Sequence, residues 1–336
     1  MEKSRQYEKG ENIRKYEKYM KKQGLIGVKT FEFEVDRDTD DVLLVKYLEN
    51  SSESRTIEIP KFVTGIKENY NEVYQVYSNV APFKSVTQDL KVINNSQITD
   101  MSNLFSMYLG KRLNLREFNT SKVTDMNGMF SECVELRELD LSSFDTSNVK
   151  NMYDMFSGCE ELEKLNVSSF NTSKVTDMNG MFSHCEKLKE IDTSKFDTSK
   201  VTDMSSMFSH CRKLREVDVH RFDTSKVKNM VHMFGSCYNL LEVDISNFNI
   251  DSLKDASLMF ADDNSLIKVD VGNLQFGEIK DLSYMFYNCN NLYDIDLSKF
   301  NLDDKHIVGK EGIFSGCELL YEKIELKCLT RPYYEG

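Results

Sequence analysis

The sequence predicts an α/β solenoid, a stack of short units with a parallel strand sheet on the concave side, short helices opposite, and an α+β cap at the N-terminus. Two observations carry this prediction. A block of about 26 residues recurs along most of the chain, and each copy combines strand-like alternation with helix-like spacing of apolar residues. Because a unit of this size cannot bury both apolar faces alone, the copies must stack on one another.

A phenylalanine marks the register of each unit. The nine positions are Phe105, Phe130, Phe156, Phe182, Phe208, Phe234, Phe260, Phe286 and Phe314. The intervals are 25, then 26 six times, then 28, so the irregular ones fall at the ends, where capping repeats are expected. This register predicts a solenoid over residues 96–336, including a C-terminal cap, and a separate module over residues 1–95.

Each unit carries two apolar periods. Leu139 and Leu141 alternate as in a short strand with one buried face. Met126, Met129 and Phe130 stand at i, i+3 and i+4, which predicts a two-turn helix. An Asp or Asn at 145, 171, 197 and 223 suits an Asx turn. A second Asp or Asn column precedes each predicted helix and is expected to cap it: Asp125, Asn151, Asp177, Asp203, Asn229, Asp255 and Asp281.

The N-terminal module is predicted to be α+β. Residues 11–23 fit an amphipathic helix that ends before Gly24, and 31–35 and 42–48 fit two strands of a hairpin around an acidic turn. A cluster of tyrosines, Tyr70, Tyr74 and Tyr77, is expected either at a half-buried cap interface or on a contact surface.

The net charge argues against nucleic acid as a direct partner. The chain has 336 residues, with 43 Lys and Arg against 55 Asp and Glu and a formal net charge of −12. Residues 1–24 carry eight basic and four acidic side chains, so the remaining body is even more acidic. Phosphates repel such a surface, and direct nucleic-acid binding is therefore not expected.

The expected location follows from the cysteines and from the first residues. Seven cysteines occupy one repeat position and Cys328 stands apart, a pattern typical of buried free thiols in a reducing compartment. The N-terminus has no apolar run of signal-peptide length, and no stretch reaches the ~20 apolar residues of a membrane helix. These features predict a cytoplasmic protein.

Motifs for catalysis, phosphate binding and metal binding are absent from the sequence. His184 and His210 share one column in adjacent units, but two histidines make a poor metal site. Identical acids in a ladder lack the different environments that acid–base catalysis needs. We therefore expect no enzyme, no catalytic residue, no metal and no cofactor.

Acidic side chains flank the buried strand residues and form the candidate binding site. One column contains Asp140, Asp192, Asp218, Asp244, Asp270 and Asp296, with Asn at 114 and 166, and its neighbour contains Glu190, Glu216 and Glu242. Asp is depleted in strands, so its recurrence calls for a cause. Two readings stay open and are compatible: hydrogen bonds between neighbouring units, or an acidic strip that docks a partner with a basic surface.

The recurring blocks FDTSKVTDMSSMFSHC and LDLS resemble the BspA-like leucine-rich-repeat family of bacterial and mycoplasmal surface proteins. They extend from about residue 96 to 328, and IEIPKFVTGI at 57–66 is similar to a related repeat. The resemblance implies a leucine-rich-repeat solenoid used for adhesion or protein recognition, without catalysis. It also implies a location on the cell surface, so the cytoplasmic and the surface location both stay open.

The leading functional hypothesis is a non-enzymatic scaffold that binds a protein through the acidic strand face. One alternative is an intracellular inhibitor, for example phage-encoded, whose acids imitate nucleic acid in the basic channel of a nucleic-acid-handling enzyme. Another is a surface adhesin that a non-Sec route exports. An enzyme with its site in residues 1–95 has no supporting motif.

Overall fold

The computed structural model describes the backbone of four N-terminal strands and residues 99–276, 279–300 and 307–321. These strands are β1 (Phe31–Val35), β2 (Val42–Tyr47), β3 (Arg55–Ile59) and β4 (Leu90–Asn94). The units that follow contribute β5 (Leu113–Asn114), β6 (Glu138–Asp140), β7 (Lys164–Asn166), β8 (Glu242–Asp244) and β9 (Lys268–Asp270). A 3₁₀ helix covers Leu297–Lys299.

The predicted N-terminal hairpin is present. β1 and β2 pair antiparallel, with Phe31 opposite Tyr47 and an irregularity between Glu34 and Val35. The alternation of Phe and Val with Glu in β1 therefore reports a paired strand. The predicted helix at 11–23 and the tyrosine cluster lie outside the described residues.

The strands of successive units pair in parallel and in register. β6 pairs with β7 and β8 with β9, each joining equivalent residues one repeat apart, such as Leu139 opposite Leu165. β3, β4 and β5 form a three-stranded parallel sheet that spans the predicted boundary at residue 95. The division into a cap and a solenoid stays a prediction.

The predicted short helices are wrong. Between residues 99 and 317 the described chain forms no α-helix, and the segment opposite the strands is a series of tight turns. In the unit of Phe130, the backbone N–H groups of Met126, Gly128, Phe130 and Glu132 donate to carbonyls of the next unit at 2.7–3.0 Å. An α-helix would direct these groups to carbonyls four residues back along the same chain.

The turns need a left-handed backbone at two positions per unit. In the unit of Phe130 these are Gly128, with φ +56°, and Glu132, with φ +60°, and equivalent positions in other units also have positive φ. Every second N–H is satisfied within its own turn, as in Met129 N–H to the carbonyl of Met126 at 3.1 Å. The other N–H groups all point to the following unit, so the hydrogen bonds between turn segments run in one direction along the stack.

The core is built of columns that repeat from unit to unit. The marker phenylalanines stack face to face with ring centroids 5.1–5.7 Å apart, and the rings of Phe105 through Phe286 are almost completely buried. Strands are about 4.8 Å apart, whereas helices pack at about 8–10 Å. The distance between neighbouring units on the turn side is therefore close to the distance between neighbouring strands. The concave strand side was predicted from wider helix packing on the opposite side, and that packing is absent from the described units.

Polar atoms inside the stack are joined across units. Each of the seven described cysteine thiols donates to the carbonyl of the preceding unit's marker phenylalanine at 3.0–3.3 Å. Thr146 is equally buried: its hydroxyl donates to the Asn171 carbonyl at 3.0 Å and accepts from the Asn171 N–H at 2.7 Å. These bonds fix the register between neighbouring units, because a buried polar group without a partner is costly.

The Asp and Asn column that was expected to cap helices stabilises turns instead. Asp125 accepts from the N–H of Asn127 at 2.9 Å, and Asn151 accepts from Tyr153 at 3.0 Å. The same column forms a continuous line of parallel bridges from Asp100 to Gly309. The acceptor role is as the sequence predicts, but the element it begins is a turn.

Candidate functional site

The acidic column of the strand face sits where each strand position ends in an Asx turn. The Oδ1 atom of Asp218 accepts from the His220 N–H at 3.0 Å, and Asp192 and Asp244 make the same bond to Ser194 and Ser246. The remaining members follow the same pattern: Asp140, Asp270 and Asp296, with Asn114 and Asn166. These carboxylates are held in one geometry by their own backbone.

The sequence allowed two explanations for the Asp column, and the first, hydrogen bonds between side chains of neighbouring units, is rare among its described members. The Asn166 amide donates to the Asp140 carboxylate at 3.1 Å. The other described members instead bond to the backbone of their own unit two residues on. The recurrence of Asp is therefore explained chiefly by the local turn, and this leaves the second carboxylate oxygen available at the surface.

Three successive units place six acids together. We call Glu190, Asp192, Glu216, Asp218, Glu242 and Asp244 the acidic patch; all six side chains are exposed, and none forms an ion pair with a described residue. The hydroxyl and N–H of Ser194 lower the pKa of Asp192, and Ser246 lowers that of Asp244. Both shifts favour the ionised form of the carboxyl groups of Asp192 and Asp244.

The other predicted site residues lie beside cations. Asp140 is 3.8 Å from the Arg116 guanidinium and Asp270 is 4.0 Å from the Lys268 ammonium. The pKa of Asp296 is lowered by its hydrogen bonds from Ser298 and, more weakly, by Lys299. The acidic surface is thus concentrated in the units of residues 190–244 and is partly neutralised on both sides.

An open depression borders the patch on its N-terminal side. Its volume is about 280 Å³, and its lining includes Glu138, Asp140, Glu163, Lys164 and Glu190. Leu165 at its floor is less buried than Leu139 of the preceding strand. A single ammonium among several carboxylates gives this depression a mixed character that suits a polar contact at the edge of an interface.

A row of exposed apolar side chains, which the sequence reading missed, continues the surface on the C-terminal side. We call Leu241, Ile267, Tyr293 and Leu319 the apolar row; their exposed fractions are 46%, 45%, 50% and 37%. The sequence contains a sign of this row, because the same repeat position changes from charged to apolar along the chain. In earlier units it holds Lys111, Arg137, Glu163, Lys189 and Arg215. The Ile267 N–H donates to the Leu241 carbonyl at 2.8 Å, so adjacent units bring these residues side by side.

The two column histidines stack as the sequence suggests and are joined by a third. The rings of His184 and His210 are 4.1 Å apart and nearly parallel, and His232 lies 5.4 Å from His210. The Ser209 hydroxyl contacts Nδ1 of both His210 and His232 at 2.7 Å. Burial, together with the neighbouring histidines, lowers the pKa of His210 to about 4.

No group of three or more His, Cys, Asp or Glu side chains in the described part of the chain has the geometry to hold a metal ion. The histidine cluster is a stacked group on the turn side of the units, opposite the strand side that carries the acidic patch.

Comparison with known proteins identifies the repeat. The family described as "Mycoplasma protein of unknown function, DUF285" matches residues 71–164, 139–217, 160–262 and 213–325. Together these overlapping matches cover more than half of the chain. The chain belongs to this family. The DUF285 repeats include the acidic patch and all four residues of the apolar row.

No curated protein matches the DUF285 chain. A solved structure, that of a leucine-rich cell surface protein from Faecalibacterium prausnitzii A2-165, is similar at 13% identity over 81% of this chain and 95% of that chain, with a TM-score of 0.21. Within the residues that the structure describes, no helix has the length and apolar character to cross a bilayer.

Proposed function

We propose that the DUF285 chain is a non-enzymatic scaffold that recognises a protein partner through the strand side of its stack. The observation that carries this proposal is the acidic patch: six exposed carboxylates in three adjacent units, without ion pairs among the described residues. Like charges this close repel, so the bare patch is relieved by a partner with a basic surface.

The surroundings of the patch support an interface. The three aspartates are already fixed by Asx turns, so a partner would meet ordered charges and little side-chain entropy would be lost. The apolar row adjoins the C-terminal end of the patch, since Leu241 directly precedes Glu242. Protein interfaces commonly combine an apolar centre with a charged rim, and the pair of surfaces offers both.

The test removes charge without removing the turns. Asp218→Asn/Asp244→Asn keeps the Oδ1 acceptor, and Asn114 and Asn166 already make the same turn in this column. The matched control is Asp197→Asn/Asp223→Asn, which removes two charges from a different column where Asn171 and Asn249 occur naturally. Both double variants should melt as the wild type does.

The three proteins then serve as baits, and a bound protein is identified by its retention on wild type and control but not on the patch variant. Its association with the patch variant should be slower and should depend less on salt. Equal retention, equal association rates and equal salt dependence for both double variants would exclude the patch.

Two measurements distinguish the remaining functional alternatives, an intracellular inhibitor and a surface adhesin. An inhibitor that imitates nucleic acid should be displaced from its partner by nucleic acid, because both would occupy one basic channel. A surface adhesin should be labelled on intact cells by a reagent that does not enter them, and nucleic acid should leave its binding unchanged.

A further inference from the structure

One unit departs from the cysteine column. Where its neighbours have Cys237 and Cys289, this unit has Asp263, and the side chain is completely buried. A buried carboxyl group in the middle of an apolar stack costs far more free energy when ionised than a thiol does when neutral.

The column shows what hydrogen bond its members make. The Cys237 thiol donates to the carbonyl of Phe208, and the Cys289 thiol donates to that of Phe260, both at 3.0 Å. By the same register, the residue at 263 faces the carbonyl of Phe234. That carbonyl accepts the Cys237 N–H at 3.2 Å, as its counterparts do in other units, and has room for a second donor.

At this position, one carboxyl oxygen of Asp263 has a hydrogen-bond partner and the other has none among the described residues. Its Oδ1 accepts the Cys237 N–H at 2.6 Å, whereas its Oδ2 is buried and accepts no hydrogen bond from the described residues. The titratable groups that face it are Asp262, Cys237 and Cys289, and none of them is a cation. Burial, reinforced by the charge of Asp262, raises the pKa of Asp263 well above its usual range.

We propose that Asp263 is a neutral carboxylic acid in the folded protein at neutral pH, that its Oδ2–H donates to the Phe234 carbonyl in place of the missing thiol, and that this interface is a pH-dependent joint in the stack. The joint lies between the units of β8 and β9, whose strands pair directly. Along the stack it is therefore level with the boundary between the acidic patch and the apolar row, although Asp263 itself lies in the buried cysteine column.

The direction of the pH effect follows from proton counting. An unfolded Asp has a pKa of about 3.9, so between that pH and the raised folded value the folded chain holds one more proton than the unfolded chain. The stabilisation is complete below about pH 3.9 and is lost as pH rises through the folded pKa. For a single proton the unfolding equilibrium constant rises by up to about tenfold per pH unit in this window.

Two substitutions test the joint. Asp263→Asn cannot ionise, yet its amide donates to the Phe234 carbonyl and its Oδ1 accepts from Cys237. Asp263→Cys restores the residue of the neighbouring units. Both variants should unfold less readily than wild type at pH 8 and should lose most of the advantage near pH 4. The control Asp251→Asn removes one charge from an exposed position and should follow the wild-type pH dependence.

A direct readout does not depend on stability. The infrared difference spectrum between wild type and Asp263→Asn at pH 7 should contain the carbonyl stretch of a neutral carboxylic acid. Hydrogen exchange of peptides from residues 238–270 should accelerate with pH more in wild type than in Asp263→Asn, after correction for the intrinsic rate. A carboxylate band in the difference spectrum, or identical pH dependence of unfolding in wild type and both variants, would overturn the proposal.

Discussion

The stacked phenylalanine column makes a quantitative prediction about where stability resides. Phe208 is completely buried, and its ring stacks on Phe182 at 5.6 Å and on Phe234 at 5.7 Å. Phe208→Ala removes both ring contacts and leaves a cavity in the middle of the array, at a cost of about 3–5 kcal/mol. Stacking beyond simple burial accounts for roughly 0.5–1.5 kcal/mol of this per ring pair.

The terminal ring provides a matched comparison. Phe314 occupies the same column, is only partly buried, and stacks on one ring of the column, Phe286, at 5.3 Å. Phe314→Ala should therefore cost roughly half as much. Urea unfolding followed by far-UV circular dichroism and by tyrosine fluorescence gives both values, since the chain has no tryptophan. Equal shifts of the midpoint in the two variants would refute stabilisation by contacts between neighbouring units.

Two further predictions concern titratable side chains. The pKa of His210 is lowered to about 4, against about 6.5 in an unfolded chain, so stability that is present above pH 6.5 is lost as pH falls towards 4. His210→Asn copies Asn288 of the same column and should reduce this loss in melting temperatures measured across the acid range. His220→Asn, at an exposed position, should not reduce it. Burial raises the pKa of Cys211 and Cys317 to about 12, so the described thiols should react with a thiol reagent only after unfolding. The unfolded chain should then titrate close to eight thiols without reductant. Rapid modification of Cys211 in the folded protein would contradict the buried cysteine column.

The repeat, the parallel strands and the buried columns could be predicted because they depend on periodicity alone. The helices could not, since Met126, Met129, Phe130 and Cys133 are all buried as the helix prediction requires, yet linked turns bury the same spacing. The contrary signal was the residue between them. Gly128 and its equivalents Asp154 and Gly180 are poor helix formers but tolerate positive φ.

The candidate site was predictable in its residues but not in its extent. Asp192, Asp218 and Asp244 are exposed because the alternation of the strand positions places them opposite the core. The two cations near the outer acids differ in how far they could be predicted. Lys268 lies two residues before Asp270 in β9, so their proximity is visible in the sequence. Arg116 belongs to the unit before that of Asp140, and only the folded register shows that it reaches this carboxylate. The substitution of Asp263 in the cysteine column is visible in the sequence, whereas its bond to the Cys237 N–H is not.

The spacing of the turn side is the most direct test of the stack, because helices and turns predict different lengths. Lys150 and Lys280 are exposed and occupy one column five units apart. Spin labels attached through non-natural amino acids at these two positions allow the distance to be measured by pulsed electron paramagnetic resonance with the native thiols untouched. With steps near the 5.1–5.7 Å of the ring column, the separation should be about 27 Å. A separation of about 40–50 Å, as helices packed at about 8–10 Å would give, would contradict the fold described here.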